Sequence, residues 1–139
     1  MSASETDMND KQKIEWALFL LRLGIFIVMF IWVIEKFINP DHLVRNLAYF
    51  YYTDGVSETI SYIVGTLELI VVLAFLAGLW KRYTYGIVMI AHGLSTFVSW
   101  KQYTPIAYNI VFFTAWPMLA ACIALYMLRH LDVKYTLKS

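Results

Sequence analysis

Four stretches of this chain are apolar almost without interruption, over residues 14–38, 58–80, 83–100 and 109–128, and short polar segments separate them. A helix that crosses the hydrocarbon core of a bilayer takes about 20 mostly apolar residues, so the pattern predicts four membrane-spanning helices. The third stretch is the shortest and the most polar. Only Lys81-Arg82 parts the second from the third, which predicts a tight antiparallel hairpin there, and residues 101–108, with Pro105 among them, predict another short turn. The longer connection over residues 39–57 holds Pro40, Asp54 and Gly55 as breakers. Between them, residues 42–52 read HLVRNLAYFYY, a short helix suited to the membrane interface, where tyrosine rings prefer to sit. Residues 1–13 are expected to form a polar N-terminal tail and residues 131–139 a C-terminal tail. The first apolar run is longer than a signal-peptide core and leads into Asn39-Pro40-Asp41-His42, not into a small-residue cleavage site, so it is expected to be retained.

Composition supports this pattern. Hydrophobic residues make up 60% of the chain and charged residues 15%, against the half and quarter of a soluble domain. The expected fold is therefore all-α: one integral membrane four-helix bundle over residues 14–130. Orientation follows from the basic residues outside the spans. Seven (Lys11, Lys13, Lys81, Arg82, Arg129, Lys134 and Lys138) fall on the side of the termini and three (Lys36, Arg45 and Lys101) on the other. Cytoplasmic loops carry the excess of Lys and Arg, so both termini are expected in the cytoplasm, the membrane being the cytoplasmic membrane of a bacterium or archaeon. With 11 basic against 10 acidic side chains and no basic stripe, the chain has no nucleic-acid footprint. The single cysteine, Cys122, excludes an intrachain disulfide and a C-x-x-C pair, and its apolar setting reads as packing.

Three ionisable residues lie inside apolar runs: Arg22, Glu68 and His92. At about 1.5 Å of rise per residue they sit roughly 12, 18 and 13 Å from the cytoplasmic ends of their helices, compatible with one shared cluster. His92 shares its helix face with Tyr85, Ser95, Thr96 and Ser99, a polar stripe that should face the interior. Two readings remain open. In one, Arg22 and Glu68 form an intramembrane ion pair that fixes helix order, with His92 and the hydroxyls as interhelical glue. In the other, Arg22, Glu68, His92, Ser95 and Thr96 line a pocket for a quinone-like ligand or a proton path. The belt around Glu35, Lys36, Asn39 and Asp41 is followed by His42, Arg45, Tyr49, Tyr51 and Tyr52, read either as interfacial anchoring or as a docking surface for a partner protein. Asp41 beside His42 offers too few ligands for a metal site, and no metal is expected. On the last helix, Pro117 predicts a mid-helix kink that frees the Phe113 carbonyl, with Thr114 placed to re-satisfy the backbone.

These residues also carry a resemblance. Arg22-Leu23-Gly24 leading to Lys36-Phe-Ile-Asn-Pro40, then Gly65-Thr-Leu-Glu68-Leu69 leading to Gly78-Leu79-Trp80-Lys81-Arg82, resemble the DoxX-like membrane proteins over roughly residues 15–130. Arg22, Lys36, Glu68 and Arg82 are the matching positions, while Val33 stands where the family usually has glycine. The resemblance implies a four-helix membrane subunit or accessory protein of a respiratory or redox complex, more a non-catalytic subunit than a stand-alone enzyme, with quinone as the candidate ligand. Membrane lipids, further copies of the chain, and membrane or periplasmic redox proteins are the partners so implied. A small transporter or channel and a purely structural scaffold are the alternatives.

Overall fold

The computed structural model describes residues 3–103 and 110–137. Five α-helices account for most of it, α1 (Ala3–Ile38), α2 (Pro40–Tyr51), α3 (Glu58–Leu76), α4 (Lys81–Val98) and α5 (Ala115–Met127), and no strand occurs among the described residues. The all-α expectation holds at that level. Among the described residues, three helical segments are long and apolar enough to cross a membrane: Asn9–Ile38, Glu58–Leu76 and Ile110–Met127. The polar residues before Ile14, expected as a tail, continue α1.

Local chemistry sets the helix ends. The residue before a proline is pushed out of the helical region, and α1 stops where Asn39 (φ −135°, ψ 69°) precedes Pro40. Pro40 then opens α2 at the position where its missing N–H costs nothing. The hairpin between α3 and α4 lies earlier than the sequence suggests. At the end of α3, Gly78 takes φ +69°, the Gly78 N–H donates to the Phe75 carbonyl (3.0 Å), and the Leu79 N–H donates to the Ala74 carbonyl (3.0 Å). This is the paired-bond helix stop that a left-handed glycine permits. Leu76 thus ends the helix, residues 77–80 make the turn, and Lys81 and Arg82 form the first turn of α4 instead of the connection.

The kink expected at Pro117 is also displaced. A 3-10 helix over Ile110–Thr114 changes to α-helix at Ala115, which makes Pro117 the third residue of α5. In a first helical turn the N–H has no intrahelical acceptor, so proline is tolerated there without bending a continuous helix. Thr114 Oγ1 donates to the Val111 carbonyl (2.7 Å), inside the 3-10 segment. A second 3-10 helix, Ser99–Tyr103, extends α4. Asn109 and residues 104–108 of the expected turn lie outside the described residues.

α1 packs on α3 and α5, α4 packs on the same two helices, and α2 lies across α1 and α3. The buried centre is apolar: Leu18 and Ile25 from α1, Val72 and Phe75 from α3, Val88 from α4, Cys122 and Leu125 from α5. Outside, the long helices present Ile27, Ile31, Leu67, Ile70, Ile90 and Leu94. Such a continuous apolar exterior suits hydrocarbon and not water. Close approach of α1 to α3 occurs at Gly65, where a Cβ would stand 3.1 Å from the Phe37 ring. The buried Ser61 hydroxyl donates to the Lys36 carbonyl (2.9 Å) in the same region.

Candidate functional site

The three ionisable residues of the apolar runs do not meet. Arg22, fully buried, gives its guanidinium to the end of the molecule where the chain termini lie. It donates to Asp132 Oδ2 (2.9 Å), to the Lys134 carbonyl (2.6 Å), to the Tyr135 carbonyl (3.2 Å) and to the Tyr85 hydroxyl (3.4 Å). Glu68 pairs with Lys36 at 2.8 Å, and His92 Nε2 lies 3.0 Å from the Ala115 carbonyl. A carbonyl only accepts, so that histidine carries its proton on Nε2. The expected Arg22–Glu68 pair is replaced by two separate pairs, for a directional reason. Side chains lean toward the N-terminus of their own helix, and α1 and α3 run oppositely. Arg22 therefore leans toward the termini and Glu68 toward α2, so similar depths do not bring them together.

The hydroxyl stripe on α4 is largely turned on its own backbone. Thr96 Oγ1 donates to the His92 carbonyl (2.8 Å) and Ser99 Oγ to the Ser95 carbonyl (2.8 Å), while the Tyr103 hydroxyl donates to the Thr96 carbonyl (2.7 Å). Between the two ends the apolar layer of Ile25, Val88 and Cys122 intervenes. Among the described residues no polar chain runs from one end to the other.

A cavity of about 420 Å³ lies at the α2 end, walled by α1, α2, α3, α4 and the 3-10 segment before α5. Its polar groups are Glu35, Lys36, Asn39, His42, Asn46, Glu68, Ser95 and Ser99. Its apolar walls include Trp32, Leu47, Phe50, Tyr51, Val98 and Phe112. The amphipathic α2 contributes residues 42, 43, 46, 47, 50 and 51, one helical face, and so roofs the cavity. Trp32 and Phe112, which line it, are 50% and 39% exposed.

Two charge pairs furnish this cavity. His42 Nδ1 lies 2.5 Å from Glu35 Oε1, joining α2 to α1. The carboxylate accepts, so Nδ1 carries hydrogen. In the Lys36–Glu68 pair the side chains are 12% and 38% exposed. The Lys36 ammonium also donates to the Trp32 carbonyl (3.3 Å), which holds it at the cavity wall. Ammonium, imidazole, amide and hydroxyl donors set among aromatic walls match the build of a site for a small amphipathic molecule with carbonyl oxygens.

The cavity thus gathers Lys36, His42, Tyr51, Glu68 and Ser95 of the expected residues, and leaves Arg22, His92 and Thr96 elsewhere. Arg45 pairs with Asp41 within α2, Tyr49 and Tyr52 are exposed, and Arg82 is exposed on the first turn of α4. The Tyr52 hydroxyl accepts from Lys101 (2.6 Å), and that hydrogen bond raises the lysine pKa above its ordinary value. The sequence analysis did not single out Asp132 as the partner of Arg22. One signal was present: of the ten Asp and Glu residues, Asp132 is the only one C-terminal to Glu68.

The Tyr85 hydroxyl donates to Asp132 Oδ2 at 2.6 Å, in a fully buried setting. Tyr85→Phe is expected to lower the unfolding free energy by about 1.5–3 kcal/mol, the range for hydrogen bonds to charged groups. Denaturant titration of the purified protein in detergent, followed by tryptophan fluorescence, measures it.

No family model, curated protein or solved structure matches this chain. Among the described residues, fold and site define a protein of helices without strands, with three helices long and apolar enough to cross a membrane and a polar cavity beneath a roofing helix.

Proposed function

We propose that the chain is a DoxX-like integral membrane accessory subunit of a redox complex, and that its α2-end cavity takes the headgroup of a quinone. In this reading α1, α3, α4 and α5 cross the bilayer as a four-helix bundle with both termini in the cytoplasm, as the excess of Lys and Arg on that side favours. The cavity then lies at the outer face, and the subunit assembles with further copies or with membrane or periplasmic redox proteins.

The observation that carries the reading is the cavity itself. About 420 Å³ accommodates a substituted ring, donors stand on several sides, and the part-exposed Trp32 and Phe112 offer apolar wall to a lipid-soluble molecule. Lys36 is placed to donate to one carbonyl oxygen and His42 to another, while Glu35 and Glu68 hold both donors when no ligand is present.

The test is binding of a short-chain quinone to the purified protein in lipid nanodiscs. Lys36→Met is expected to weaken it at least about tenfold, since a hydrogen bond from a charged donor is worth about 1.5–3 kcal/mol. Ser95→Trp, which fills the cavity, is expected to abolish binding, and Arg82→Gln to leave it unchanged. Wild-type affinity in both cavity variants would defeat the reading.

A further inference from the structure

At the opposite end from the cavity, the chain after α5 turns back onto the helices. Asp132 enters a fully buried position against Arg22 and Tyr85, and its backbone carbonyl accepts from Lys81 Nζ (2.5 Å). Arg22 also holds the Lys134 and Tyr135 carbonyls, and the Leu137 N–H donates to the Ala77 carbonyl (2.8 Å). Gly78 makes room for Thr136, whose methyl would lie 2.5 Å from any Cβ placed there. The helices thus read a peptide that turns at Lys134-Tyr135 by one carboxylate, three carbonyls and one N–H.

We propose that this end of the molecule is a binding site for a turned peptide that brings in one carboxylate, and that residues 131–137 are its resident ligand, an exchangeable strap. Two features make the strap separable from the fold. Val133, Tyr135 and Leu137 are 50%, 68% and 60% exposed, so beyond the Asp132 key and the backbone its attachment rests on Lys134 over the Trp16 ring, Tyr135 edge-on to Trp16 and Phe19, and Thr136 against Gly78. Furthermore, Arg22 Nε and Asp132 Oδ1 are buried without hydrogen-bond partners, so the lock is incompletely filled by its present occupant. Undocking would bare Arg22 and Lys81 together as an anion receptor, and an acidic segment of similar spacing would replace the strap. The proposal does not depend on the cavity's ligand.

Limited trypsin digestion of the full-length protein in nanodiscs tests it, with release of the C-terminal fragments followed by mass spectrometry. Cleavage after Lys134 is expected to be slow in the wild type, where Arg22 holds the carbonyl of the scissile bond. Asp132→Asn is expected to speed it at least about tenfold, as loss of one partner of a buried pair costs well beyond the tenfold threshold. Leu137→Pro removes the N–H given to Ala77 without touching a helix, and is expected to speed cleavage even if Asp132→Asn fails to fold. A peptide of residues 130–139 carrying Lys134→Gln and Lys138→Gln, which trypsin cannot cut, is expected to accelerate wild-type cleavage by competing for the site. The same peptide with Asp132→Asn should not. Equal cleavage in the wild type and in Leu137→Pro, or no difference between the two peptides, overturns the proposal.

Discussion

Arg22→Met is expected to lower the unfolding free energy by about 3–5 kcal/mol, the cost of leaving one partner of a buried pair uncompensated. Asp132 is fully buried, and without the guanidinium its carboxylate keeps one hydrogen bond, from Tyr85. The same change releases the Lys134 and Tyr135 carbonyls. The pair itself is worth far less than the cost of breaking it, because desolvation of two charges offsets most of their attraction. Combining Arg22→Met with Asp132→Leu is therefore expected to recover most of the loss. Denaturant titrations of the wild type, both single variants and the double variant give the coupling energy directly. A double variant as unstable as the worse single one would show that the guanidinium's backbone contacts, and not the charge pair, hold this end together.

Much of the architecture was legible from hydrophobic pattern alone, because burying backbone polar groups in apolar surroundings leaves helix as the economical answer. Asn39-Pro40 marked the end of α1 and the start of α2. The hairpin at Gly78 was misplaced because the charged pair Lys81-Arg82 is the more visible signal. A left-handed glycine stops a helix whatever the hydropathy of the residues after it. Pro117 misled in the opposite sense: a proline in an apolar run reads as a kink, but here it sits just inside a helix start that hydropathy cannot locate.

The site was legible residue by residue and not as a constellation. Glu68, Lys36, His42 and Ser95 were each singled out, yet the cavity that joins them depends on α2 folding back across α1 and α3, a tertiary fact that helix periodicity does not carry. Arg22 was correctly read as needing a partner. Depth pointed to Glu68, whereas the lean of side chains along antiparallel helices excludes it and favours a group at the termini end. The segment that supplies Asp132 was legible only as a C-terminal tail because it has no periodic pattern, its backbone being held one contact at a time.

Gly78→Ala offers the second large effect, and its size can be divided. Gly78 sits at φ +69°, where an L side chain costs about 1–2 kcal/mol. An added Cβ would also stand 2.5 Å from Thr136 Cγ2 and 2.7 Å from Thr136 Cβ, so the strap must move, an overpacking cost of about 1–3 kcal/mol. The sum, about 2–5 kcal/mol, should appear in the same denaturant titration. Gly55 supplies the control, since it has φ +78° and nothing within 4 Å of its would-be Cβ, so Gly55→Ala carries the conformational cost alone. Replacing Thr136 with glycine in the Gly78→Ala background removes the clash but not the dihedral strain, and should bring the loss down to about the Gly55→Ala value. If Gly78→Ala costs no more than Gly55→Ala, the strap yields freely and its contact with the α3–α4 turn holds nothing. A larger cost that Thr136→Gly relieves would instead show that the turn and the C-terminal segment are packed as one unit.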